Sequence, residues 1–116
     1  MDKKFIIRKK NGTYNLPFEE VVYMEKDLRK IKVHTQLEGF ECIDFYGRFE
    51  DIYDYLDERF MFCNRSFVFN MDKIVIMADS QVLLEGNIRV HLGRDSFSRG
   101  KKQLDEFIKK KYQKNK

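Results

Sequence analysis

Asn64-Arg65-Ser66 forms a short polar break between two apolar, strand-like runs, Phe60 to Cys63 and Phe67 to Phe69. Its side chains suit nucleic-acid reading: the arginine fork pairs with guanine edges or phosphate, the asparagine carboxamide pairs with adenine, and the serine hydroxyl donates to phosphate. A solvated turn or a protein-facing tip would use the same residues. Other chemistries find weaker support. His34 and His91 fall on strand-like segments with no Cys or acidic partner at metal-ligand spacing, so no metal site is expected. Asp51, Asp54, Asp57 and Glu58 lie beside a helical apolar stripe and read as a solvated face. No nucleophile comes with a base and an orienting group, and no glycine-rich phosphate loop is present, so neither catalysis nor a cofactor is expected. Cys63 abuts Arg65, which lowers thiol pKa values, but the apolar run around it favours a buried, inert thiol. Cys42 reads as core, and Phe62 as core packing. Asn70, after a buried run, reads as a cap on local backbone.

The segments that must hold these residues are mostly short strands with turn signals roughly every ten residues, which favours a mainly β chain. Phe5 to Lys9 ends at Asn11-Gly12, a hairpin signal, and Thr13 to Leu16 returns before Pro17 interrupts pairing. Val21 to Met24 is continuously apolar and runs out at Glu25-Lys26-Asp27. A charged turn, Asp27 to Lys30, leads into Ile31 and Val33, which alternate with Lys32 and His34. Phe40 to Phe45 is the expected partner. Phe49, Ile52, Tyr53 and Leu56 recur at helical spacing, giving a short helix between Arg48 and Arg59. Phe60 to Cys63, Phe67 to Phe69, Ile74 to Met77 and Val82 to Leu84 follow as strands, with Asp79-Ser80 as a turn. Ile88 to Leu92 is a half-exposed last strand. From Phe97, the positions of Leu104, Phe107, Ile108 and Tyr112 predict a terminal amphipathic helix, fraying into a Lys-rich end.

Composition narrows the possibilities. A chain of 116 residues with 42% apolar and 15% aromatic residues, eleven of them Phe, is expected to fold as one domain over residues 1–116, with its core at about 5–100. No apolar stretch approaches the ~20 residues that span a bilayer, and no secretion signal follows Met1-Asp2-Lys3-Lys4. Two widely spaced cysteines suit reduced thiols in a cytoplasmic protein. The net charge of +4 is concentrated at one end: residues 101–116 hold seven Lys against Asp105 and Glu106, so the rest sums to −1. Recognition of a polyanion therefore depends on placed side chains rather than bulk charge.

In order along the chain, several blocks resemble the LytTR family of bacterial DNA-binding domains, the usual output module of response regulators. Val22-Tyr23-Met24-Glu25 resembles a strand ending in Tyr-x-Glu, and Ile31-Lys32-Val33-His34-Thr35 one ending in His-Thr. Phe49 to Leu56 matches a Leu-x-x-Leu helix. Phe60-Met61-Phe62-Cys63-Asn64-Arg65-Ser66-Phe67-Val68-Phe69-Asn70-Met71-Asp72-Lys73-Ile74 resembles the signature Phe-x-Arg-x-His-Arg-Ser-Phe/Tyr-x-Val-Asn-x-x-x-Ile. His91-Leu92-Gly93-Arg94 stands where Pro-Val-Ser-Arg precedes a helix. The sequence departs from the pattern at Phe62, Asn64, His91 and Gly93. The resemblance implies an elongated stack of small antiparallel sheets, with one short mid-chain helix and a C-terminal helix, that presents loops to successive major grooves. Carried over, Arg29, Lys30, Asn64, Arg65 and Arg94 are the base-reading residues. Lys26, Ser66, Ser96 and Arg99 are phosphate anchors.

The function implied is sequence-specific binding of double-stranded DNA and transcription regulation, by a homodimer on paired sites, with no small-molecule substrate. Too few residues precede the first matched block for a receiver domain; either control comes from elsewhere or the chain is a piece of a longer regulator. The alternative is a protein-interaction module of the same fold that has lost DNA reading, an adaptor with a separate signalling or membrane partner. The departures at Phe62 and Asn64 and the −1 body speak for it. The Lys-rich end reads first as a frayed solvent tail; the alternative is that its charge adds salt-sensitive affinity for DNA or an anionic membrane surface.

Overall fold

The computed structural model describes residues 3–113; Met1 and Asp2 at the expected signal-free N-terminus and residues 114–116 of the basic tail lie outside them. Period-two alternation resolves into three antiparallel sheets. The first is a hairpin of β1 (Lys4–Lys9) and β2 (Gly12–Pro17). The second contains β3 (Val21–Asp27), β4 (Lys30–Thr35), β5 (Cys42–Tyr46), β6 (Phe60–Phe62) and β7 (Phe67–Asn70), in spatial order β5-β4-β3-β7-β6. Between β5 and β6 comes α1 (Phe49–Ile52), continued by a 3-10 turn over Tyr53–Tyr55. The third sheet, β8 (Ile74–Ala78), β9 (Gln81–Leu84) and β10 (Ile88–His91), precedes α2 (Arg94–Gln113).

The five-stranded sheet is the middle layer, and it separates two cores. On one face Met24, Ile31, Val33, Phe60 and Val68 pack with Phe5, Ile7 and Leu16 of the hairpin and with Phe49 and Ile52 of α1. On the other, Val22, Tyr23, Met61 and Phe69 pack with Val82, Leu84 and Val90 of the third sheet and with Leu104 of α2. That is why Val21 to Met24 is apolar without alternation: both of its faces are covered. A register shift between Val21 and Tyr23 sends two successive side chains, Val22 and Tyr23, into the second core.

Several expectations shift. The first hairpin turns at Lys10 and Asn11, both at negative φ, with Gly12 already paired to Lys9. Asp79-Ser80 is the turn with two positive φ angles, 53° and 61°, the geometry that matches strand twist. The mid-chain helix is a single α turn, and Tyr53 of its predicted stripe is 60% exposed. β5 starts at Cys42 rather than Phe40, and Cys42 is exposed rather than core, because the edge strand's outward face has no layer over it. α2 begins at Arg94, three residues before the apolar pattern announces it.

Candidate nucleic-acid interface

One end of the middle sheet gathers the predicted residues. Antiparallel pairing of Glu25 with Phe67 brings the β3–β4 turn and the β6–β7 loop to the same edge. At the first, Asp27 pairs with Lys30, leaving Leu28 and Arg29 as a two-residue tip in which Leu28 takes φ 57° and is 89% exposed. Gly47 N–H donates to the Arg29 carbonyl at 3.1 Å, which ties the tip to the end of β5. The exposed Arg29 guanidinium makes no hydrogen bond or ion pair among the described residues. Lys30 is engaged: its Nζ lies 3.8 Å from Asp44 and 5.2 Å from the centre of the Tyr46 ring. Lys26 Nζ donates to the Leu28 carbonyl, bracing the turn from behind.

The β6–β7 loop is built on Asn64. Its Oδ1 accepts from Ser66 N–H at 2.8 Å and Phe67 N–H at 3.0 Å, and its Nδ2 donates to Ser96 Oγ at 3.0 Å. An Asx-type cap of this kind fixes a tight loop and leaves the next side chain, Arg65, at the exposed apex. The loop is anchored on both sides, since Lys26 N–H also donates to the Ser66 carbonyl at 2.9 Å. Both lone pairs of the Asn64 carbonyl are thus taken, so a bidentate pair with adenine requires the loop to open. Cys63 Sγ lies 3.6 Å from the Ser96 carbonyl and is 3% exposed; burial pushes its thiol up, with Arg99 acting the other way, which favours the thiol over the nucleophilic thiolate.

The third predicted tip is the start of α2. Arg94 and Arg99 are exposed, and Ser96 is half-buried against Asn64. Gly100 sets the helix's approach: a Cβ there would lie 2.9 Å from Met77 Cε and 3.2 Å from Met61 Sδ. Hydrogen bonds therefore connect Lys26, Ser66, Asn64 and Ser96 into a continuous seam, with Arg29, Arg65 and Arg94 exposed on its three elements. Lys30 turns away along the sheet edge. Sequence reading missed Arg48 and Tyr53, which line a concavity beside Lys26 and Arg65. The available signal was Gly47-Arg48, a break between β5 and the helical stripe.

The remaining sequence motifs are structural. Tyr23 and His34 stack at 4.2 Å, and His34 Nε2 sits 2.8 Å from Glu25 Oε1, so the two blocks meet as a cross-strand cluster. Burial, then the nearby Glu25 and Cys42, pushes the Tyr23 hydroxyl up to about 12. Thr35 Oγ1 donates to the Phe40 carbonyl at 2.8 Å and accepts from Leu37 N–H at 3.1 Å, closing the β4–β5 loop. Asn70, fully buried, donates to the Phe18 and Val21 carbonyls at 3.1 and 2.8 Å and caps Asp72 N–H at 3.0 Å. It ties the start of β3 to the end of β7, as well as capping locally.

Comparison with protein families matches residues 11–105 to the LytTr DNA-binding domain. No curated protein matches the chain. Among solved structures, a LytTr DNA-binding domain from Bacillus cereus, assigned to a putative methyl-accepting/DNA response regulator, superposes with a TM-score of 0.72 at 20% identity, covering 88% of this chain and 96% of that one.

Proposed function

The chain belongs to the LytTR family of DNA-binding domains, which act in transcription regulation, and we propose that it reads double-stranded DNA through three loop tips set in successive major grooves. Arg29, Arg65 and Arg94 are the base readers, each able to pair bidentately with guanine. Asn64 is the scaffold of the middle tip, because its carbonyl is already saturated. Ser66, Lys26 and Arg99 contact phosphate, and Ser96 joins them: its oxygen accepts from Asn64, which leaves its own O–H to donate outward. Lys30, held near Asp44, adds to the local field more than to base recognition. A single short half-site gives weak binding, so two molecules on adjacent sites share the duplex.

The observation that carries this reading is the hydrogen-bonded seam from Lys26 through Ser66 and Asn64 to Ser96. It holds three separate backbone segments in fixed relation, with an exposed guanidinium on each, and pre-organised donors lose little entropy on binding. The test is selection of bound fragments from random duplex DNA, followed by affinity measurements on Arg65→Ala and Arg94→Ala. Each substitution is expected to cost about 1–3 kcal/mol of discrimination at its own base pair. Unchanged affinity and specificity in both variants rejects the assignment. Enrichment of no sequence at all turns the reading to the protein-interaction module.

A further inference from the structure

Beside the middle tip, the surface sinks into a concavity of about 680 Å³ between the β6–β7 loop and α1, within the size range of small-molecule sites. Its floor is aromatic. The Tyr53 and Phe62 rings meet edge to face at 5.0 Å, and Phe62 meets Phe49 in the same manner at 6.2 Å. Phe49 is buried and Phe62 half-buried, but Tyr53 is 60% exposed and presents its ring to solvent. The rim is cationic: Lys26, Arg48 and Arg65 come from three different elements, with Glu50 as the acidic member. Arg48 lies 3.5 Å from Asp51, an exposed pair of small worth, and Arg65 has no partner among the described residues.

Exposed aromatic surface is costly to leave in water, and three guanidinium or ammonium groups around it complement a negative charge. We propose that this concavity binds a small planar aromatic anion, an arene carrying a carboxylate or phosphate, and that its occupancy excludes DNA. The arene stacks on Tyr53 and Phe62 while the anion pairs with Arg65 and Arg48. Because Arg65 then serves two ligands, the two compete, which makes the site a control point within the DNA-binding unit itself. The exclusion rests on the proposed DNA-reading role of Arg65; binding of the anion does not. No step alters the ligand, so it is an effector rather than a substrate.

The probe is 1-naphthoate, with uncharged 1-naphthylmethanol as its control, followed by two-dimensional amide NMR of the full chain. The expected result is saturable shifts at Tyr53, Phe62, Asn64 and Arg65, at least about tenfold weaker for the alcohol. Tyr53→Ala should weaken naphthoate about three- to tenfold while leaving the spectrum of the folded chain intact, and Tyr53→Phe should restore binding. Tyr55→Ala, a 70% exposed tyrosine outside the concavity, should change nothing. Absence of saturable shifts, or equal binding of acid and alcohol, overturns the proposal. In the second arm, naphthoate should release selected duplex DNA from the wild type and less effectively from Tyr53→Ala. If naphthoate binds yet DNA is retained, while Arg65→Ala still weakens DNA, exclusion is wrong and the proposal falls with it. If Arg65→Ala leaves DNA affinity intact, the DNA-reading role of Arg65 is what fails, and the exclusion with it, whereas the NMR arm still decides the anion site.

Discussion

At the scale of single residues, neighbours in one tripeptide divide the work between fold and the recognition proposed above. Asn64 stabilises the protein: Asn64→Ala leaves the Ser66 and Phe67 N–H groups without their acceptor and frees Ser96. It is expected to lower stability by about 1–3 kcal/mol in urea unfolding and to weaken DNA binding in parallel. Arg65→Ala should separate the two effects, with an unchanged urea midpoint and weaker DNA binding, because its side chain supports nothing among the described residues. Equal effects of the two substitutions on stability would contradict this division. Asn70 is an asparagine of another kind, buried and fully bonded. Removing it takes one donor from each of the Phe18 and Val21 carbonyls and leaves Asp72 N–H without its side-chain acceptor.

At the scale of elements, the site depends on how α2 and the β6 corner are seated. Gly100 lets α2 lie against Met61, Cys63 and Met77, one turn beyond the Ser96 that meets Asn64. Gly100→Leu should overfill this junction, costing about 1–3 kcal/mol in thermal or urea unfolding. DNA affinity should fall with it, since the displaced turn carries Arg94 and Ser96; retention of full affinity would mean that helix and loop are not coupled. Asp57, at the entry to β6, gives the pH dependence. Partial burial pushes its carboxyl up, but hydrogen bonds from the Arg59 side chain and backbone, the Arg59 charge, and a hydrogen bond from the Lys3 side chain outweigh this and hold it below the ordinary carboxylate value. A depressed native pKa means stability that is present above the unfolded value of 3.8 and lost as pH falls through the native one. Acid unfolding should therefore steepen below about pH 4, and Asp57→Asn should flatten that part of the curve.

At the scale of the molecule, the charge is unevenly spread and partly paired. Lys111 pairs with Asp72 at 2.8 Å and Lys101 with Asp105 at 2.9 Å, so the Lys-rich segment contributes less free charge than its composition suggests. Lys102 and Lys109 line the same α2 surface as Arg94. Replacing both with Ala should weaken binding to all duplexes alike and reduce the salt slope by about one unit for each phosphate no longer neutralised, without changing sequence preference. An unchanged slope places that helix face away from the duplex. No helix among the described residues is long and apolar enough to cross a membrane.

The sequence by itself determined most of the strands, the buried run at Val21 to Met24, the terminal helix and the LytTR membership, because apolar periodicity and motif spacing are local records of packing. It also marked the Asn-Arg-Ser tip, since polar residues between apolar runs must turn outward. It did not distinguish Asn64 from Arg65, because whether a carboxamide faces a ligand or its own backbone depends on a loop closed by Ser96, 32 residues away. Nor did it find Arg48 and Tyr53, or the exposure of Cys42, which follow from layers that meet and an edge left uncovered. Tertiary structure decided these: hydrogen bonds and concavities join residues by distance in space, and no periodicity in one segment encodes its neighbour in another.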